Sequence, residues 1–115
     1  MVKPKTKYVP QKGDITWIIF PFAKGHEQKG KRPALVVSSS LYNEKSGLAL
    51  FCPITSQKKN YPFEVELKGI GTKGVILADQ IRTFDFDERR VEFIEKAPEK
   101  VMAETIRKIS LLITS

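Results

Sequence analysis

Apolar residues in this chain come in short runs broken by polar, glycine- and proline-bearing segments, which is the rhythm of a β protein. Residues 14–20 (DITWIIF) follow a Lys-Gly-Asp turn and are rich in β-branched and aromatic residues, so they predict a first strand. Residues 33–39 (PALVVSS) form a continuous apolar run, the mark of a strand covered on both faces. Residues 48–54 (LALFCPI) predict a third strand. Residues 63–67 (FEVEL) alternate apolar with acidic, as a half-exposed strand does. Two further short strands are predicted at 75–78 and 90–94. Between the second and third strands, residues 40–47 (SLYNEKSG) read as one helical turn stopped by glycine.

Pro98 then opens a terminal helix, at a position where its missing N–H costs nothing. Val101, Thr105, Ile106, Ile109, Leu112 and Ile113 make its apolar stripe. Many short strands and one closing helix predict a mainly β fold, a small antiparallel barrel or curled sheet with a C-terminal helix.

At 115 residues the expectation is a single domain over 1–115, with residues 1–7 as a flexible basic arm. Hydrophobic residues are 41% and charged residues 29%, a balance that supports a core and argues against global disorder. Cys52 is the single cysteine, so no internal disulfide forms, and its place inside LALFCPI predicts a buried, inert thiol. The stretch MVKPKTKYVPQKGD lacks the apolar centre of a secretory leader, and no run approaches the ~20 apolar residues of a membrane span. The expected setting is a reducing cytoplasm, with no membrane partner.

Charge sharpens the picture. The net charge is +7, and residues 1–32 carry eight lysines and arginines against Asp14 and Glu27, a net of +6. That surface suits a polyanion or an acidic protein.

Two familiar patterns can be set aside. Residues 69–74 (GIGTKG) match the dinucleotide pattern G-x-G-x-x-G, but Val75-Ile76-Leu77-Ala78 follows as strand sequence where a helix must open. The glycines serve a turn instead. One histidine and one cysteine do not supply a tetrahedral zinc site, and no G-x-S-x-G is present for a triad hydrolase. No metal or other cofactor is expected.

Polar groups cluster around strand ends: His26-Glu27 and Arg32 before the second strand, Thr55-Ser56-Gln57 after the third, Asp79-Gln80 and Arg82 after another. Strand ends of a small barrel can converge on one edge. Metal-free RNA cleavage uses the 2′-hydroxyl as nucleophile. It needs a base for that hydroxyl, an acid for the leaving 5′-oxygen and a cation for the phosphorane. Arg32 suits the cation role, since a guanidinium offers paired donors and stays charged, and Pro33 fixes the backbone beside it. Thr55 suits donation to a phosphate oxygen, and Glu27, Asp79 or His26 suits the base. The plainer alternatives are a surface ion pair for Arg32, a strand-end cap for Thr55, a solvated loop residue for His26 and a backbone hydrogen bond for Asp79.

The same residues carry a resemblance. Gly13-Asp14-Ile15-Thr16-Trp17, the segment GHEQ-x-G-x-RPALVVS over 25–38, Cys52-Pro53-Ile54-Thr55-Ser56, Tyr61-Pro62-Phe63-Glu64-Val65 and GVILADQ over 74–80 appear in that order. With the Pro98 helix, they resemble the MazF/PemK family of toxin endoribonucleases from bacterial type II toxin–antitoxin systems, from about residue 8 onward. The resemblance implies an SH3-like barrel of the MazF/PemK/CcdB toxin type and a homodimer. It also implies metal-independent cleavage of single-stranded RNA to a 2′,3′-cyclic phosphate and a 5′-hydroxyl. An acidic antitoxin of the MazE/PemI kind would occupy the RNA groove and neutralise the toxin.

By that resemblance Arg32 and Thr55 are the central catalytic pair and His26 and Glu27 line the site, while Asp79 stays a candidate catalytic residue. Lys24, Gln28, Lys31, Ser56, Gln57 and Gln80 are expected RNA contacts, and Arg82 a second cation. One position departs from the pattern. Some PemK-type members use an arginine two residues before the aspartate as general acid; here that residue is Leu77, so Arg32 is expected as acid and charge stabiliser. The competing expectation is a non-enzymatic, CcdB-like inhibitor of DNA gyrase.

Overall fold

The structure is a computed structural model and describes residues 7–19 and 30–115. Its elements are β1 (Asp14–Ile19), β2 (Lys31–Val36), α1 (Ser40–Ser46), β3 (Leu48–Thr55), β4 (Glu64–Glu66), β5 (Val75–Leu77), β6 (Arg82–Asp85), β7 (Glu92–Lys96) and α2 (Glu99–Thr114). Every strand pairing is antiparallel. The strands follow the order β4-β5-β3-β2-β1-β7, with β6 also on β3. The expected mainly β architecture with a C-terminal helix is therefore present.

β3 organises the sheet. One edge pairs with β2, from Ala34↔Pro53 to Val36↔Phe51. Its other edge is shared: Leu48–Phe51 pair with β6, and Ile54 and Thr55 pair with β5. Between β5 and β6 the chain turns, with Gln80 N–H donating to the Leu77 carbonyl at 3.1 Å. Asp79 lies in that corner.

Successive residues of the central strands feed two different apolar clusters. Leu35 and Cys52 join Ile15, Ile54, Val65 and Ile76, whereas Val36 and Phe51 join Ile18, Ala49 and Phe84. A strand covered on both faces needs no alternation, which is why PALVV and LALFC read as unbroken apolar runs.

The hydrogen-bonded path has two ends, β4 and β7, so the sheet is barrel-like but not closed by its backbone ladder. Side chains and α2 span the gap. Glu95 of β7 accepts from the loop that joins β4 to β5, and Ala97 and Val101 pack in the same cluster as Val65 and Leu67. Lys108 on α2 donates to the carbonyls of Pro62 at 2.5 Å and Glu64 at 3.1 Å.

Several boundaries differ from the sequence reading. β2 is displaced toward the N-terminus, to Lys31–Val36, because its pairing with β1 runs back through Pro33↔Trp17 to Lys31↔Ile19. β6 was not anticipated: among its four residues only Phe84 is buried, so IRTFDFD reads as polar. The last strand starts at Glu92 rather than 90, because Arg90 has φ 51° in the preceding turn. Pro98 caps α2 with an extended ψ of 147° and is not its first helical residue. The apolar stripe holds at Val101 and Thr105, which are buried, and at Ile106 and Ile109, which pack on the core. It fails at Leu112 and Ile113, exposed by 47% and 78%. The helix packs on short β4, and the side chains of its last turn are left exposed.

The predicted helical turn is α1. Ser39 Oγ accepts from Tyr42 N–H at 3.3 Å at its start, and Gly47 takes the left-handed φ of 77° at its end. Its fully buried Asn43 donates to the Pro10 carbonyl at 2.8 Å and accepts from Ser38 Oγ at 2.6 Å, tying the N-terminal segment to the sheet.

Candidate active site

Arg32 stands on β2 opposite Ile18 of β1. Two residues further along, Ala34 faces Pro53, and the same antiparallel register run outward sets Arg32 across from Thr55 at the end of β3. The two side chains line one open groove of about 560 Å³, with Lys31, Ser56, Gln57 and Lys73 around them. Among the described residues three cations and no carboxylate line this groove, and their field favours an anion.

Thr55 is held from two sides. Its hydroxyl oxygen accepts from Gln57 N–H at 3.1 Å, which leaves the hydroxyl proton free to be donated elsewhere. Its backbone lies against Gly74, which has φ +124°; a Cβ added there would sit 2.4 Å from the Thr55 carbonyl oxygen. Glycine at 74 is what allows the β5 stem to come this close.

Thr55 and Gln57 also border a second hollow of about 400 Å³, with Lys59, Tyr61, Asp79 and Gln80 on its other walls. Tyr61 Oη donates to Asp79 Oδ2 at 2.6 Å. Asp79 Oδ1 is buried without a hydrogen-bond partner among the described residues. The hydrogen bond to Asp79, then partial burial and the carboxylate charge, push the Tyr61 phenol above its ordinary range. Burial, then the nearby Asp79 charge, push the Cys52 thiol up to about 12. The expected burial of Cys52 is observed, fully inside the core. Glu64 orders the rim of this hollow by accepting from the N–H groups of Lys59 (2.9 Å), Asn60 (3.0 Å) and Tyr61 (3.3 Å).

The profile of the PemK-like, MazF-like toxins of type II toxin–antitoxin systems matches residues 11–113 of this chain. The chain belongs to this toxin family. It is similar to the endoribonuclease toxin MazF of Escherichia coli K12, 48% identical over 84 residues, which is 73% of this chain and 76% of that protein. It is also similar in structure to MazF from Deinococcus radiodurans, with a TM-score of 0.85 and 45% identity, over 95% of this chain and 100% of that one. A MazE–MazF complex from the same organism gives a TM-score of 0.84 and 48% identity, again over 95% and 100%.

Within the MazF/PemK frame, the expected site residues divide into three sets, with Arg82 apart from them. Arg32, Thr55, Lys31, Ser56 and Gln57 come together in the larger groove. Asp79 and Gln80 line the adjoining hollow, joined to the first set through Thr55 and Gln57. Lys24, His26, Glu27 and Gln28 lie outside the described residues. Arg82 is not among the residues that line either hollow. Beyond the corner at Gln80 the chain enters β6, where Arg82 pairs with Phe51 in the middle of β3, away from the Thr55 end.

Three contributors were not anticipated as site residues: Tyr61, Glu64 and Lys73. Tyr61 stood in the quoted YPFEV segment without a role, and Glu64 read only as the polar face of a strand. Lys73 belonged to the glycine-rich turn that had been set aside. Among the described residues no three His, Cys, Asp or Glu side chains gather as a metal-holding group. No helix among them is long and apolar enough to cross a membrane.

Proposed function

We propose that this protein is a sequence-specific endoribonuclease toxin that cleaves single-stranded RNA, mRNA above all, by attack of the 2′-hydroxyl on the adjacent phosphate. The observation that carries this reading is the convergence of Arg32 and Thr55 in a groove where the described residues supply three cations and no carboxylate. The scissile phosphate binds between them. The Arg32 guanidinium offsets the charge that builds on the phosphorane, and the Thr55 hydroxyl donates to a phosphate oxygen. A base removes the 2′-hydroxyl proton; the new O2′–P bond forms as the P–O5′ bond breaks, and the 5′-oxygen takes a proton from Arg32 or water. The products are a 2′,3′-cyclic phosphate and a 5′-hydroxyl. Asp79, Glu27 and His26 are the residues offered for the base. Of these, Asp79 is engaged with Tyr61 beside the groove.

Family membership and the MazE–MazF complex seen for a similar toxin support a cognate acidic antitoxin as partner. An acidic segment lying in the Lys31-Arg32-Lys73 groove would exclude RNA by occupying the same field. The active species is a homodimer acting in the bacterial cytoplasm.

Incubation of the purified protein with a long RNA in EDTA, followed by mapping of the new 5′ ends, tests this directly. The expected result is cutting at a short recurring sequence, with 5′-hydroxyl ends and no need for a divalent ion. Intact RNA together with trapped gyrase–DNA complexes would overturn it in favour of the CcdB-like reading.

A further inference from the structure

The loop Gly69-Ile70-Gly71-Thr72-Lys73-Gly74 joins β4 to β5, and the function above uses Lys73 only as one of the cations of the groove, without a specific contact. It is nevertheless fixed at both ends of its second half. At one end Gly74 lies on the Thr55 backbone, where a Cβ would meet the carbonyl oxygen at 2.4 Å. The Gly74 carbonyl also accepts from Leu67 N–H at 3.0 Å, closing the hairpin. At the other end Glu95 reaches over from β7. Its Oε2 accepts from Thr72 N–H at 2.7 Å and from Thr72 Oγ1 at 2.5 Å, and its Oε1 accepts from Gly71 N–H at 3.3 Å.

Lys73 is the residue between those two anchors. It lines the groove that holds Arg32 and Thr55, and also a neighbouring hollow of about 570 Å³ whose walls include Trp17, Thr72 and Glu95. Both oxygens of Glu95 are engaged by loop donors, so the carboxylate acts on the loop. Among the described residues the Lys73 ammonium makes no hydrogen bond or ion pair. A cation held at the junction of two hollows, with no acid among the described residues that line the Arg32–Thr55 groove, is placed to meet a phosphate of a strand passing from one hollow to the next.

We infer that Lys73 binds a backbone phosphate next to the scissile one, and that Glu95 is a positioning residue that holds Lys73 there by gripping Gly71 and Thr72. The inference rests on the reading of the Arg32–Thr55 groove as the RNA site. Because the contact is to phosphate, it contributes affinity without selecting a base.

The test is steady-state cleavage of a short RNA containing the mapped cut sequence, at several salt concentrations. Lys73→Ala is expected to raise KM about five- to tenfold, leave kcat within about twofold, and lower the slope of log affinity against log salt by about 0.7, the value for one single-strand phosphate contact. Lys73→Arg restores KM, and the cut sequence is unchanged. Glu95→Ala is expected to reproduce the KM effect. In the Lys73→Ala background it adds almost nothing, because both changes remove the same contact. Glu95→Gln, which keeps one acceptor oxygen, falls between. Arg32→Ala separates this inference from the underlying reading. If the wild type cuts RNA and Arg32→Ala does not, while Lys73→Ala keeps wild-type KM and salt slope, the Lys73 assignment alone is wrong. Additive KM effects of Lys73→Ala and Glu95→Ala would refute the positioning role of Glu95. If Arg32→Ala cuts normally, or the wild type neither binds nor cuts RNA, the groove reading and this inference fall together.

Discussion

Gly74 lies so close to Thr55 that an added Cβ would sit 2.4 Å from the Thr55 carbonyl oxygen, so that the residue before β5 sets where the end of β3 can lie. A methyl group at 74 meets backbone rather than a yielding side chain. It must also adopt a φ of +124°, which L-residues rarely do. Gly74→Ala is therefore expected to destabilise the fold by about 2 kcal/mol or more. It should also lower kcat at temperatures where the variant is still folded, because Thr55 is displaced. Urea unfolding and single-turnover cleavage measure the two effects separately. Wild-type values in both would show that the contact is not needed.

Arg32 and Thr55 are expected to act on kcat. Removing a preorganised donor to developing charge costs about a hundred- to a thousandfold, and Arg32→Ala should show a loss of that order with circular dichroism unchanged. Arg32→Lys should stay well below wild type, because an ammonium lacks the paired donors of the guanidinium. Thr55→Val keeps the volume and the β-branch but loses the hydroxyl, and a fall of at least about tenfold is expected. A rise in KM with kcat intact in these variants would move both residues from catalysis to simple binding.

Much of this arrangement was legible in the sequence. The apolar runs gave β1, β2, β3 and β5 because buried central strands need little else. Residues 55–57 and 79–80 were marked because polar groups directly after such runs stand at strand ends. The missed parts depend on contacts distant in the chain. β6 carries a single buried side chain, Phe84, and owes its strand form to pairing with Leu48–Phe51. Lys73 lines the groove from a loop that is tied at Thr72 to Glu95, 23 residues further along the chain. Arg82, adjacent in sequence to a site corner, is carried off by the β5–β6 turn. No local pattern encodes any of these.

The tyrosines give the protein an alkaline limit. Tyr8 is held protonated well above the ordinary phenol range by burial, by its hydrogen bond to Asp14 and by the Asp14 charge. Tyr61 is raised by its bond to Asp79. A phenol with a raised folded pKa leaves the native state holding more protons than the unfolded one once pH passes about 10. Its contribution is complete below that pH and is lost above it. Urea midpoints should be nearly flat from about pH 7 to 9 as far as these groups are concerned, then fall. Tyr8→Phe should flatten most of the fall, since Tyr61 is exposed and water screens its bond. An unchanged alkaline slope in Tyr8→Phe would rule out the Tyr8–Asp14 pair as its source.

Cys52 is expected to be silent in the native protein. It is fully buried in the cluster with Leu35 and Ile54, and its thiol is pushed up to about 12. At pH 8 only roughly one molecule in ten thousand would then carry the thiolate, the reactive form. A water-soluble disulfide reagent should leave the native protein unmodified for hours and label it at once in denaturant. Exchanging the thiol for a hydroxyl is a separate probe. Cys52→Ser puts a stronger hydrogen-bonding group into an apolar cluster and is expected to cost about 1–3 kcal/mol. Cys52→Ala loses mainly packing and should cost less. Rapid labelling of the native protein, or a serine variant as stable as wild type, would mean that this part of the sheet opens readily enough to admit water.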